Sequence, residues 1–112
     1  MKTFDVVTEY ATYKNCYFLT GQFMADNSLS LEIWNDEEGP IADITRCLGD
    51  ASEGCGYLDM NNCPWSADLV TELGIGYFVG RITRSGFCEY PLYRFDMDKV
   101  KEYVSDIDNV ND

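Results

Sequence analysis

Residues 61–100, NNCPWSADLVTELGIGYFVGRITRSGFCEYPLYRFDMDKV, leave the chain the fewest choices of fold. They hold a helix start, a helix stop, two strands around a turn and a second helix start, in that order. Pro64 suits the first helical position, where its missing N–H would have no partner in any case. Asp68 falls in the first turn, near the positive end of the helix dipole. Trp65, Leu69 and Leu73 recur at i, i+4 and i+8 and so share a face. Gly74 stands where a left-handed cap can end a helix. The spacing predicts an amphipathic helix over 64–73.

Residues 75–83 (IGYFVGRIT) and 87–95 (FCEYPLYRF) then read as strands around a turn at Arg84, Ser85 and Gly86. Gly76 and Gly80 share a face with Phe78 and Ile82, which leaves room for a close neighbour such as an aromatic ring. Pro91 cannot donate to a ladder, which puts its strand at an edge or a bulge. On that strand Phe87, Glu89, Pro91, Tyr93 and Phe95 share one face, and Cys88, Tyr90, Leu92 and Arg94 share the other. Asp96 is a good N-cap. Met97, Val100, Tyr103, Val104 and Ile107 follow as an apolar stripe at helical spacing.

The N-terminal half is strand-rich. Residues 4–11 alternate in a period of two, 13–15 read as a turn, and 16–24 as a second strand in which Gly21 marks a bulge or a close approach. Ala25, Asp26 and Asn27 form a break. Leu29, Leu31 and Ile33 then alternate with polar neighbours over 28–34, as a strand with one face on a core. Residues 35–39 have hairpin size, and 40–47 are the returning strand, with Pro40 first. Residues 48–56 form a glycine-rich loop, and 57–60 a short strand. The sum is a single α+β domain over 1–104, a mostly antiparallel sheet with two short helices packed on it. An acidic flexible tail is expected over 105–112. A chain of 112 residues, 46% of them hydrophobic, is enough for one core.

Charge narrows the function. Twenty Asp and Glu face eight Lys and Arg, a formal net charge of -12. Phosphate backbones are repelled by such a chain, so direct nucleic-acid binding is not expected. Basic protein surfaces are attracted to it, and imitation of DNA is within its reach. No apolar run attains the roughly 18 residues of a membrane span, and MKTFDVVTEY lacks a secretory pattern. A cytoplasmic location is the expectation, and with it free thiols at Cys16, Cys47, Cys55, Cys63 and Cys88. Cys47, Cys55 and Cys63 are spaced by eight. With Cys88 they could supply four thiolates, but the paired ligands roughly two to four residues apart that zinc prefers are missing, and so is histidine. No metal or cofactor is expected. Gly49 and Gly54 imitate part of a phosphate loop, yet no Lys-Ser or Lys-Thr follows, and Asp50 and Glu53 oppose an anion. Asp50, Glu53 and Asp59 lack calcium-loop spacing.

The absence of histidine removes the commonest general base. A thiol-dependent enzyme would need Arg84 to activate Cys88, or a helix N-terminus to activate Cys63. Against this, free cysteine usually behaves as a small buried hydrophobe. No catalytic residue is assigned. Arg81, Arg84, Tyr90, Tyr93 and Arg94 crowd one segment of an otherwise acidic chain. Their types are enriched at interface hot spots, as is Trp34. The competing reading is that such tyrosines line the core and the arginines pair with surplus carboxylates. For a DNA mimic, the carboxylates available are Asp26, Glu32, Asp36, Glu37, Glu38 and Asp43 on the first hairpin, with Asp50 and Glu53 on the following loop.

NNCPW, a short helix and then GRITRSGFCEYPLYRFD also resemble a known family over residues 60–96. It is the small bacterial family called domain of unknown function 4313, associated with conjugative transposons of gut anaerobes. The specific piece is SGFCEYPLYRFD, residues 85–96. The resemblance implies a mobile-element context and no catalytic residues. The expected function is a protein-binding accessory module of a mobile element. The alternatives are an acidic DNA mimic with antirestriction-like activity and a thiol-dependent enzyme.

Overall fold

The computed structural model describes residues 1–105. In chain order the elements are β1 (Phe4–Val7), β2 (Thr12–Gln22), β3 (Leu29–Asn35), β4 (Gly39–Asp43), β5 (Thr45–Arg46), β6 (Cys55–Leu58), α1 (Ser66–Leu73), β7 (Gly76–Ser85), β8 (Cys88–Phe95) and α2 (Met97–Lys101). The strands pair antiparallel in two four-stranded sheets, ordered β1-β2-β3-β4 and β5-β6-β8-β7. The α+β class and the antiparallel pairing match the sequence patterning, with the one expected sheet divided into two.

The main core lies between the sheets. β3 supplies Leu29, Leu31 and Ile33 from alternate positions, and Val6, Phe18, Ile44, Leu58, Val70, Ile75 and Val100 join them. Fully burying such a side chain contributes roughly 1.5–3 kcal/mol. The expected strand over 40–47 breaks at Ile44, so that β4 belongs to the first sheet and β5 to the second. Ile44 is fully buried. Its N–H donates to the Leu31 carbonyl at 3.0 Å, and its own carbonyl accepts from the Asp59 N–H at 2.9 Å. Next to it, the Thr45 hydroxyl accepts from the Leu31 N–H at 3.0 Å. Both backbone groups of the corner residue are satisfied, which is what lets it sit inside the protein.

Several boundaries differ from the sequence reading. The turn expected at 13–15 sits at 8–11, where the Thr8 hydroxyl accepts from the N–H groups of Tyr10 and Ala11. A hydroxyl bonding its own turn is a local signal that outweighed the polar look of 13–15. Asn15 instead lies within β2 at φ 56°, beside a register shift between Phe4 and Val6, and its N–H donates to Asp5. That bulge takes the place of the one expected at Gly21, where the nearest atom to an added Cβ is an ordinary 3.9 Å away. Helix α1 begins at Ser66, two residues later than expected, with Trp65 at the N-cap and no side-chain cap. Pro64 therefore stands outside the helix. The left-handed cap at Gly74 (φ 67°) and the Asp96 cap, accepting from the N–H groups of Asp98 and Lys99, are as the sequence predicts.

In the second sheet β8 is an inner strand, between β6 and β7. Pro91 pairs with Ile82 at the end of a register shift whose extra residues lie on β7, so β8 is neither an edge nor itself bulged, and its proline stands opposite the end of its partner's bulge. Gly76 has the close neighbour expected of it. An added Cβ would come within 2.9 Å of the Arg94 carbonyl and 3.0 Å of the Phe95 ring. Gly80 has open space around it and a φ of 90°, so its service is to the bulge. The turn is Gly86 and Phe87, because the ladder continues to Ser85 opposite Cys88. Gly86 at φ 63° meets the turn's need for a positive φ. At the last described residue the Ser105 N–H donates to the Phe18 carbonyl. The rest of the expected tail, 106–112, lies outside the described residues.

Candidate interaction surface

A second, smaller core sits on the other side of β8. Cys55, Tyr57, Tyr90 and Leu92 form it, and Leu48, Ala51 and Cys88 pack against it. Strand alternation explains the arrangement: Tyr90 and Leu92 point away from Tyr93 and Phe95, which enter the main core. The loop between β5 and β6 closes over this cluster and is tied down by polar contacts. The Tyr57 hydroxyl donates to Asp50 at 2.7 Å and bonds the Thr83 hydroxyl at 2.9 Å. The Arg81 guanidinium reaches the same Asp50 at 2.6 Å. The Ala51 N–H donates to Asp26 at 3.1 Å. Burial holds the Tyr57 phenol above its ordinary range.

The five residues singled out from the sequence do not form one cluster. Arg81, Tyr90 and Arg94 belong to the side of the smaller core. Arg81 bonds Asp50 and Thr83, and Arg94 donates to the Cys55 sulfur at 3.7 Å. Tyr93 lies in the main core, and Arg84 is on the same face as Tyr93, paired with Glu89 at 3.3 Å. Tyr90 and Tyr93 are only 7% and 9% exposed, so most of their surface is spent on folding. Burial, with the nearby charge of Asp68, raises the Tyr93 phenol. Trp34 is half-buried, its indole N–H on Glu32 at 3.3 Å.

A different set of residues is displayed instead. Among the described residues β7 is the free edge of the second sheet. Along it Tyr77 is 60% exposed, Phe78 43%, Val79 40% and Ile82 57%, and Phe87 at the adjoining turn is fully exposed. Large apolar side chains in one run on an unpaired edge are uncommon in a self-sufficient domain. The sequence carried a signal for this. IGYFVGRIT is apolar at both odd and even positions, and a strand apolar on both faces needs cover on both.

Four of the thiols belong to the two cores or pack on them, and the fifth, Cys47, donates to Asp26 at 3.7 Å. Cys16 and Cys63 are in the main core, Cys55 is in the smaller one, and all five cysteines are free. Burial, together with the Asp59 and Asp43 carboxylates, pushes Cys63 up to about 11, the reverse of activation. Cys88 faces the smaller core, on the opposite side of β8 from the Arg84–Glu89 pair. Among the described residues no group of three or more His, Cys, Asp or Glu is placed to hold a metal ion. Of the carboxylates available to a DNA mimic, Asp26, Glu32, Asp36 and Asp50 accept hydrogen bonds within the protein. Glu37 and Glu38 are exposed at the β3–β4 turn. No helix among the described residues is long and apolar enough to cross a membrane.

A family model described as a domain of unknown function (DUF4313) matches residues 7–111, nearly the whole chain. No curated protein and no solved structure matches it.

Proposed function

We propose, from the premise that the chain belongs to the DUF4313 family, that it is a protein-binding accessory module of a mobile genetic element. The observation that carries this reading is the apolar edge formed by Tyr77, Phe78, Val79, Ile82 and Phe87. An unpaired strand offers main-chain donors and acceptors for a partner strand, and its side chains supply apolar area beside them. Arg81 and Arg84 interrupt the apolar run and are half or more exposed despite their ion pairs, so they can set orientation at the rim of a contact. The mobile-element context rests on the resemblance of residues 85–96.

The test is an affinity capture from host cells with the wild-type chain and with Tyr77→Ser/Ile82→Ser. The expected result is a partner recovered by the wild type and lost with the double variant. It is retained by Met24→Ser, whose side chain is still more exposed, at 99%, and belongs to the loop between β2 and β3. Recovery of the same partner by all three chains would sink the reading.

A further inference from the structure

A groove of about 460 Å³ opens between the 8–11 turn, the end of β4 and the segment leading into α1. Half-buried Tyr13, Ile41 and Trp65 line it, and Tyr10 stands at its lip, 90% exposed. Three carboxylates reach the lining from separate parts of the chain: Glu9 in the turn, Asp43 at the end of β4 and Asp59 after β6. Among the described residues Arg46 is the one cation in the lining, so three negative charges against one positive leave it at -2.

Asp59 is 2% exposed, and Asn62 donates to it through both its backbone N–H (3.3 Å) and its side-chain amide (2.8 Å). Its contact with Arg46 is loose, at 3.8 Å. The negative field extends to the groove floor, where the Cys63 thiol is raised by burial and then by Asp59 and Asp43. Asn62, Cys63, Pro64 and Trp65, from the NNCPW stretch, make up one side.

Aromatic faces attract cations through the ring quadrupole, and carboxylates beside them add to the attraction. An anion would be repelled. An uncharged apolar ligand would cover carboxylates and offer them no partner. We infer that this groove receives the cationic side chain, lysine or arginine, of a protein partner. The chain's net charge of -12 draws basic partners toward it. The groove is distinct from the β7 edge and stands or falls independently of that surface.

The experiment titrates the isotopically labelled full chain with three capped tripeptides, Gly-Lys-Gly, Gly-Arg-Gly and the neutral Gly-norleucine-Gly. It follows the Trp65 indole N–H and the Asn62 amide by NMR. The two cationic peptides should shift both signals saturably with a Kd of about 1 mM. The Glu9→Gln/Asp43→Asn variant should weaken that binding about tenfold. Both side chains are exposed, so the variant keeps its fold, which its unshifted core signals will verify. Ile82→Ser should leave the binding unchanged. Equal shifts from the norleucine peptide, no shifts from the cationic ones at about 10 mM, or full binding by the double variant would each overturn the inference.

Discussion

β3 and β7 are neighbours in character and opposites in setting. β3 runs through the first sheet between β2 and β4, and β7 runs along the rim of the second sheet with β8 alone beside it. Both carry several large apolar side chains, leucine and isoleucine chiefly on β3, aromatic and β-branched residues on β7. On β3 the apolar positions alternate with polar ones, and every second residue is buried. On β7 they do not alternate, and no residue of the strand is fully buried. The difference teaches that apolar content specifies a strand, whereas its alternation specifies which face is paid for by the core. What lacks alternation is free to serve another surface.

The largest expected effect breaks the comparison at its centre. Ile33→Ala on β3 should lower stability by about 2–5 kcal/mol, as for other buried aliphatic truncations. Ile82→Ala on β7 should stay within about 0.5 kcal/mol. Urea denaturation measures both, and equal losses would mean that β7 is part of the core. Second come the two glycines of β7. Gly76→Ala forces a Cβ against the Arg94 carbonyl and the Phe95 ring and should cost about 1–3 kcal/mol. Gly80→Ala meets no atom but keeps a positive φ, for about 1 kcal/mol. The order of the two in thermal melts separates crowding from backbone strain.

A smaller effect concerns the loop over the lesser core. Tyr57→Phe removes the hydroxyl shared by Asp50 and Thr83 and should cost about 1 kcal/mol, measured by urea denaturation. It should also loosen the loop, seen as faster amide exchange at Ala51. The smallest is a pH effect. Cys63 ionises near its ordinary value of 9.0 when unfolded and near 11 when folded. The stability associated with its neutral thiol is therefore complete below pH 9 and declines as pH rises toward 11. A Cys63→Ala chain should lose less stability over that interval than the wild type, in urea titrations at each pH.

The sequence made some features legible because their cause is local. The Gly74 and Asp96 caps each depend on one residue and its immediate neighbours. The β3–β4 hairpin depends on alternation and a short polar loop. Other features depend on partners far along the chain. Nothing near Ile44 marks it as a corner, since its role follows from Leu31 and Asp59. Phe87 reads as strand, and only the ladder's extension to Ser85 and Cys88 leaves it at the turn. The candidate surface was legible to the level of the segment. The crowding of Arg81, Arg84, Tyr90, Tyr93 and Arg94 pointed to β7 and β8, but alternation on β8 sends Tyr90 and Tyr93 into two different cores. The exposed residues are those of its edge partner.

The corner at Ile44 has a consequence for how the protein comes apart. A single residue joins β4 to β5 there, and hydrogen bonds tie Ile44 to Leu31 of the first sheet and to Asp59 just beyond the second sheet's β6. Neither sheet can peel away without rupturing contacts that hold the other, so the two should melt as one cooperative unit. The Ile44 and Leu31 amides would then be among the slowest to exchange, while the rim strand β7 fluctuates around a frame that stays shut.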